Sequence, residues 1–260
     1  MKLPIYQIDA FTSSIFEGNP AAIILLEEWI TNKLMQRIAQ ENNLSETAFI
    51  LKSGDKYQIR WFTPVCEVNL CGHAALAAAH LILYILEPNR DSVTFTSKSG
   101  ELEVKKDNDL LSLKLPAVQS KKITPPEFLV NALGKTPIEV YQSEDIMAIY
   151  ENEQEIKDLN PNFFQLKEID ARGIIATAPG YHQDFVSRFF APAVGINEDP
   201  VTGSAHTKLV PYWSNRLGKK ELHATQLSSR SGNLICRDLG EYIELLGNAR
   251  IYLTGEINTQ

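Results

Sequence analysis

The chain has 260 residues, of which 44% are hydrophobic and 22% are charged, and its formal net charge is −7 at pH 7. This composition is typical of a globular protein and excludes a disordered or fibrous chain. The negative charge argues against a nucleic-acid partner, because binding to phosphate requires a basic surface.

Three cysteines are too few, and odd in number, for a disulfide framework, and they indicate a reducing compartment. The start "MKLPIYQIDAF" lacks the basic and apolar segments of a signal peptide. The longest apolar run is shorter than the roughly 20 residues that cross a bilayer. We therefore expect a cytoplasmic protein without a membrane segment.

The first half of the chain begins with two strand patterns, "IYQIDAFT" and "AAIILL", joined by the turn "EGNP". An amphipathic helix is then predicted from about Thr31 to Asn42–Asn43, with Ile30, Leu34 and Ile38 on one stripe. Five further segments of this half read as strands: "SETAFIL", "YQIRWFTP", "SVTFTS", "GELEVKK" and "LLSLKL".

Between those strands lies "GHAALAAAHLILYIL", which is apolar on nearly every side and so predicts a helix wrapped by other elements. The segment "PAVQSKKITPP" reads as a linker, and a second set of strands follows it. In this second half "GSAHTKLV" begins a helix, and Pro211 is expected to kink or end it after roughly two turns. The predicted class is α+β, with two pseudo-symmetric lobes, each a curved, mostly antiparallel sheet rolled around a central helix.

One pattern occurs twice: "FTPVCEVNLCGHAALAAAH" from Phe62 and "FAPAVGINEDPVTGSAH" from Phe190. In each copy a loop leads to a predicted helix start that contains a glycine. The glycine is Gly72, followed by His73, in the first copy and Gly203, followed by Ser204, in the second. The free amides of a first helical turn bind anions, so two such helix starts facing one cleft would hold a carboxylate. Ordinary helix capping explains either copy taken singly.

Two acids stand out near these helix starts. Glu46 shares its strand face with Leu44, Ala48 and Ile50, and desolvation there would raise its pKa and suit it to carry protons. The same pattern also fits an edge strand on which Glu46 reaches water or an arginine. Asp199 precedes Pro200 in a loop and is either a turn former or directed at the cleft.

Two other constellations are disfavoured. A Cys71 nucleophile with His73 as its base fails on geometry, because residues two apart on a helix do not face each other. A zinc site from Cys66, Cys71, His73 and His80 lacks the usual paired spacings. We therefore expect no metal. The helix start and burial together should keep His73 neutral.

The motifs "DAFTSSIFEGNPAAI", "NLSETAFI", "FTPVCEVNLCGHA" and "FFAPAVGINEDPVTGSAH" resemble those of the PhzF-like phenazine biosynthesis family, which shares the diaminopimelate epimerase fold. The resemblance implies a cofactor-independent isomerase, commonly a homodimer, with its active site between two lobes. It assigns acid/base catalysis to Glu46. It assigns substrate binding to five residues: Gly72, His73, Asp199, Gly203 and Ser204.

One departure concerns the epimerase branch of that fold, whose members use a cysteine on each side of the cleft. Here Cys71 has Thr202 as its counterpart, and a hydroxyl is too weak an acid to be the matching base. We expect lobes at residues 1–116 and 117–246, with residues 247–260 returning to the first. Two alternative functions stay open: a thiol-assisted epimerase using Cys71, and a binding protein for small carboxylates without turnover.

Overall fold

The protein is described by a computed structural model that covers residues 1–259. The chain divides into two units, one formed by Met1–Leu115 with the segment from Leu245 onward, the other by Pro116–Glu244. Both units combine sheets with helices, which confirms the predicted α+β class. None of the helices within residues 1–259 has the length and apolar composition that a bilayer crossing requires.

The first unit is built on one run of paired strands. Its elements are β1 (Lys2–Ala10), β2 (Asn19–Leu26), α1 (Asn32–Asn42), β3 (Glu46–Ser53), β4 (Lys56–Phe62), β5 (Glu67–Val68), α2 (Gly72–His80), β6 (Ser92–Ser97), β7 (Gly100–Asp107) and β8 (Leu110–Pro116). Strand β1 pairs antiparallel with β2, and β2 pairs parallel with β3. From β3 the pairing continues to β4, β6, β7 and β8, and only the β4–β6 pair is parallel.

Helix α2 is the buried centre of this unit, as its all-round apolar pattern predicts. Every residue from Gly72 to Ala79 is buried, and the helix packs on β1, β2 and β3. Its alanines leave little side chain between helix and sheet, so the backbones approach closely. The sequence predicted one buried helix that continues to Leu86. In the structure Leu81–Leu86 form a π-helix, and its last three residues, Tyr84, Ile85 and Leu86, are exposed.

Helix α1 covers a separate apolar cluster and has the predicted bounds. The Thr31 side chain accepts a hydrogen bond from the Leu34 amide at its start, and Asn43 ends it in the left-handed conformation. Met35 and Ile38 pack with Phe49 and other side chains of the neighbouring strands. Of the predicted stripe, Ile38 is buried, whereas Ile30 and Leu34 are half-buried at the edge of the same cluster.

The second unit has a sheet with helices on both faces. Its elements are β9 (Lys121–Ile123), α3 (Glu127–Leu133), β10 (Glu139–Gln142), β11 (Ile146–Ile149), α4 (Glu153–Lys157), α5 (Phe163–Lys167), β12 (Ile174–Pro179), β13 (Phe185–Ala191), β14 (Ile196–Asp199), α6 (Gly203–Leu217), β15 (Glu221–Gln226) and β16 (Gly232–Asp238). The next strand, β17 (Tyr242–Gly247), begins in this unit, and its residues from Leu245 onward belong to the first. Strand β13 pairs antiparallel with β12 and β14 and parallel with β15. The segment expected to be a plain linker includes β9, which pairs with β10.

Alternation along β13 separates the two faces of this sheet. Val186 and Phe190 join the cluster beneath α3, α4 and α5, whereas the ring of Phe185 stacks on Trp213 of α6 with centroids 5.7 Å apart. The three short helices were missed in the sequence, because five to seven residues are too few to display a helical period. The last strand, β18 (Ala249–Asn258), belongs to the first unit and pairs antiparallel with β1.

Helix α6 runs for 15 residues through Pro211, so Pro211 does not end it after two turns, which was one of the two expected outcomes. Proline removes the amide that would bond to the carbonyl four residues earlier, which here is Thr207. That carbonyl instead accepts a hydrogen bond of 3.0 Å from the Val118 amide. The helix continues because a neighbouring segment supplies the missing donor.

Replacing Pro211 by Ala should therefore raise the free energy of unfolding by well under the roughly 3 kcal/mol that a helix-interior proline usually costs. The matched control is Asn215→Pro in the exposed last part of α6, which should cost about that amount. Urea unfolding of both variants measures the two changes. A gain of about 3 kcal/mol in Pro211→Ala would contradict this account.

Candidate active site

Glu46 is the first residue of β3, and the parallel register sets it opposite Ala21 of β2. Its side chain is only 12% exposed. Ala48 and Ile50, which share its strand face, are fully buried. The carboxylate therefore emerges at the end of an apolar row with little access to water.

His73 lies in the first turn of α2, beside Glu46. The imidazole is buried, and its Nε2 atom is 3.3 Å from Glu46 Oε2. The N–H direction at Nε2 does not satisfy the angles of a hydrogen bond, although the distance would allow one. We interpret the pair as a close electrostatic contact that a small rotation would convert into a hydrogen bond.

The protonation state of His73 follows from its surroundings. Burial lowers its pKa to about 3, so the imidazole is neutral near pH 7, as expected from the sequence. The Asn19 side-chain amide donates to Nδ1 at 3.1 Å, which leaves the single ring proton on Nε2. His73 therefore directs an N–H group towards the Glu46 carboxylate.

Cys71 precedes α2 and caps the helix in an extended conformation, with φ −141° and ψ 110°. Its Sγ atom lies 3.5 Å from His73 Nδ1. The sequence argument that Cys71 and His73 cannot face each other is therefore wrong, because it assumed that both belong to the helix. An extended cap turns its side chain back over the first turn.

The start of α2 also offers groups that bind ligands. The Cys71 side chain makes no capping hydrogen bond to the first turn, which begins at Gly72, so this end of the helix suits an anion. One donor atom each from Glu46, Cys71 and His73 lie within 4.8 Å of one another. These three could hold a soft divalent cation, one ligand short of a closed zinc site.

In the second unit Asp199 ends β14 and is buried. Thr202, the residue before α6, donates from Oγ1 to Asp199 Oδ2 at 2.5 Å. Gln226 accepts from the Thr202 amide at 2.8 Å and donates to the Asp199 carbonyl at 2.7 Å. The buried Gln226 amide thus fixes the loop that carries Asp199 and leads into α6.

Gly203 and Ser204 form the first turn of α6, and the Thr202 side chain makes no capping bond to it. Ser204 Oγ accepts a hydrogen bond of 3.0 Å from Arg172 Nη1. This helix start therefore offers amides and a hydroxyl to a ligand.

The structure groups the predicted residues into two sets. Glu46, Gly72 and His73 lie together in the first unit, and Asp199, Gly203 and Ser204 lie together in the second.

Sequence reasoning missed several polar residues that support these sets: Asn19, Thr202, Gln226 and Arg172. Asn19 belongs to "EGNP", which was read as a plain turn. Its complete burial distinguishes it from a turn residue, and burial depends on neighbours distant in sequence. Gln226 and Arg172 are isolated in sequence from the repeat, so no local signal marks them.

A cavity of about 830 Å³ lies elsewhere in the second unit and is lined by residues such as Tyr141, Tyr212 and Lys220. None of the predicted site residues lines it. Because the repeated motif and the hydrogen bonds that converge on Asp199, Thr202 and Ser204 lie at the helix starts, we take those, and not this cavity, as the candidate site.

Comparison with known proteins identifies the family. A family model described as phenazine biosynthesis-like protein matches residues 8–256. An uncharacterized isomerase of Pseudomonas aeruginosa is 45% identical over 99% of this chain and 100% of its own. The crystal structure of a PhzF family protein from Enterococcus faecalis superposes with a TM-score of 0.96 at 42% identity, covering 99% of this chain and 100% of that one.

A predicted epimerase of Pseudomonas aeruginosa shares the fold, with a TM-score of 0.76 at 16% identity over 98% of this chain and 99% of that one. The two units and their mixed sheets thus define an epimerase-like fold, and the protein is an enzyme of the isomerase class. The chain belongs to the phenazine biosynthesis-like, or PhzF, family. The family resemblance read from the four motifs is confirmed.

The depressed pKa of His73 predicts a specific pH dependence of stability. An unfolded histidine takes up a proton below about pH 6.5, whereas folded His73 stays neutral until about pH 3, so stability falls as the pH falls through this window. Each such histidine contributes a slope of about 1.4 kcal/mol per pH unit. When the pH is lowered from 7 to 5, the free energy of unfolding of His73→Gln should fall by about 2 kcal/mol less than that of wild type.

Urea unfolding at the two pH values measures this difference. The control is His182→Gln, which removes an exposed histidine and should retain the wild-type pH dependence. Equal losses in wild type and His73→Gln would show that His73 is not held neutral by burial.

Proposed function

We propose that the protein is a cofactor-independent isomerase that moves a proton on a small carboxylate-bearing substrate, with Glu46 as the general acid/base. The observation that carries this proposal is the nearly buried Glu46 carboxylate, whose Oε2 atom lies 3.3 Å from Nε2 of neutral His73. A carboxylate in such a dry site is a competent proton carrier once a substrate carbon is positioned beside it.

Substrate binding is proposed for the groups around the two helix starts. Gly72 and Gly203 begin α2 and α6, and the first-turn amides of a helix suit a carboxylate. His73 and Ser204 would orient the substrate through an N–H and an O–H group. Asp199, anchored by Thr202, would accept a hydrogen bond from a polar substituent.

In the proposed reaction Glu46 removes a proton from a carbon that a carboxylate or a conjugated system activates, and the protonated carboxyl then returns the proton to another carbon. The charge that develops on the substrate during transfer would be stabilised by the N–H group of His73 and by the helix amides. Neutral His73 can donate this hydrogen bond without competing for the proton, since its pKa is about 3.

A thiol-assisted epimerisation is a second candidate, and one contact favours it: Cys71 Sγ lies 3.5 Å from His73 Nδ1. Against it, the residue at the corresponding helix start is Thr202, whose hydroxyl already donates to Asp199. A third possibility, a carboxylate-binding protein without turnover, predicts ligand binding but no proton transfer in any variant.

The test is exchange with solvent in deuterium oxide, using a panel of aromatic and aliphatic carboxylic acids followed by NMR and mass spectrometry. Wild type should put deuterium into substrate or product, or move a carbon-bound label within the substrate. Glu46→Gln keeps the shape but accepts no proton, so it should fold normally and lose about 100-fold to 10,000-fold of the activity.

Cys71→Ser is the matched control and should retain most activity if the carboxylate carries the proton. Full activity in Glu46→Gln would rule out the carboxylate mechanism. A loss in Cys71→Ser comparable with that in Glu46→Gln, together with protection from iodoacetamide by substrate, would favour the thiol mechanism.

We also propose a homodimer that forms through the first unit. Tyr252 and Leu253 of β18 are exposed, and exposed Phe16 packs edge-on against Tyr252 with ring centroids 5.4 Å apart. A second copy of the chain would bury this apolar patch, which is centred on an exposed strand. The three free cysteines are consistent with assembly in a reducing compartment such as the cytoplasm.

Light scattering should give twice the mass of one chain for wild type and the mass of one chain for Leu253→Glu. Phe164→Glu, which changes an exposed phenylalanine of the second unit, is the control and should remain dimeric. A wild-type protein that stays monomeric at micromolar concentration would disprove this assembly.

A further inference from the structure

Arg172 lies just before β12 and bonds to three side-chain atoms near the start of α6. Its Nε and Nη2 atoms donate to the two oxygens of Asp145 at 2.8 and 2.6 Å, and its Nη1 atom donates to Ser204 Oγ at 3.0 Å. The planar guanidinium fits this arrangement because its donors form a rigid fork. Its position relative to Ser204 is therefore fixed by Asp145.

A second cation completes the cluster. Lys208, one turn along α6 from Ser204, has a side chain only 4% exposed, and its Nζ atom lies 3.0 Å from Asp145 Oδ2. Asp145 is fully buried, so two cations share one buried carboxylate. Glu144 approaches both cations at 3.6 and 3.8 Å, but it is 64% exposed and largely screened by water. The guanidinium of Arg172 is the charged group of this cluster that contacts the Ser204 hydroxyl.

The contact with Arg172 decides which hydrogen bonds Ser204 can make. An arginine only donates, so Ser204 Oγ is the acceptor, and its hydroxyl hydrogen must point elsewhere. Within residues 1–259 no side chain or carbonyl accepts this hydrogen. The hydroxyl is consequently poised to donate to an acceptor atom of a ligand.

We infer that Arg172 is a positioning residue that sets Ser204 as a hydrogen-bond donor and thereby selects substrates that present an anionic oxygen at the start of α6. The inference rests on the proposed function and specifies its substrate class. A carboxylate oxygen accepts a hydrogen bond from the hydroxyl and is attracted by the adjacent guanidinium charge of Arg172. An ammonium or amide N–H group of a ligand cannot accept a hydrogen bond from the Ser204 hydroxyl. An ammonium group would also be repelled by the guanidinium charge of Arg172.

The charge of Asp199 is part of the same environment. Burial by itself lowers the pKa of Arg172, but its bond to Asp145 and the charges of Asp145, Glu144 and Asp199 outweigh this effect, so the pKa lies above its ordinary value. Arg172 thus stays charged at every pH at which the enzyme is folded, and the pH optimum should not depend on it.

The first test compares the binding of benzoate and benzamide by NMR titration, because the two probes share shape and differ in the charged oxygen. Wild type should bind benzoate, and Arg172→Gln should weaken benzoate about 10-fold or more while leaving the affinity for benzamide unchanged. Arg172→Lys should restore part of the loss. Arg216→Gln removes a cation from the last turn of α6 and is the control, with wild-type affinity expected.

The second test asks whether Arg172 acts through Ser204. Ser204→Ala should lower the affinity for benzoate to a similar extent as Arg172→Gln. The double variant Arg172→Gln/Ser204→Ala should bind benzoate no more weakly than Ser204→Ala alone. With an accepted substrate, Arg172→Gln should raise KM and leave kcat within a few-fold. Arg172→Gln should fold, because Asp145 keeps its pairing with Lys208, and its melting temperature verifies this.

Equal benzoate affinity in wild type and Arg172→Gln would overturn the assignment of Arg172 but leave the proposed function intact. Additive losses in the double variant would overturn its action through Ser204. If wild type bound neither benzoate nor any carboxylate of the exchange panel, the proposed function would fail, and this inference with it. If Arg172→Gln fails to fold, the assignment is tested with Arg172→Lys only. Wild-type affinity for benzoate in Arg172→Lys would then show that the forked guanidinium of Arg172 is not needed.

Discussion

Exclusion of water from the start of helix α2 is the constraint on which the candidate site in the first unit depends. Its alanines and leucines are buried on every side, and that burial extends to His73. An imidazole in such surroundings stays neutral down to about pH 3. It then has one acceptor nitrogen, which Asn19 occupies, and one N–H group, which faces Glu46. Without the buried helix, the charge state and the direction of this side chain would both be undefined.

In the second unit, different contacts orient the polar residue at the helix start. Its helix start carries Ser204 in place of His73, and a hydroxyl has no charge state to control. Instead Arg172, held by the buried Asp145 carboxylate, donates to Ser204 Oγ, from which we infer the direction in which the hydroxyl donates. In each unit the second residue of the helix has one hydrogen-bonding atom occupied by a neighbour, which leaves a donor for another group. The supporting residues differ because the two sheets bury different side chains behind their helices.

Cys71 shows why family motifs and local geometry must be considered together. The thiol is buried and touches His73, so contact alone would suggest a nucleophile and its base. A racemase of the two-thiol type needs a second acid at the other helix start, where this chain has a threonine whose hydroxyl is already committed to Asp199. Proton transfer by the Glu46 carboxylate beside His73 is therefore the chemistry that we propose.

Several features of the protein could be predicted from the sequence because they depend on neighbours within a few residues. The alternation of strands, the caps of α1 and the repeated Gly-bearing helix starts are local patterns, and the four motifs carried the family. Glu46, His73, Asp199 and Ser204 were predicted as site residues for the same reason, since each belongs to a motif.

What the sequence could not determine depends on contacts between distant segments. Pro211 remains within α6 because the Val118 amide, far away in the chain, supplies a hydrogen bond to Thr207. The roles of Asn19 at α2, and of Gln226 and Arg172 at α6, arise because folding brings polar groups that are separated by dozens of residues to a helix start. Hydrogen-bond satisfaction of buried groups is a property of the packed chain, so tertiary structure alone decided it.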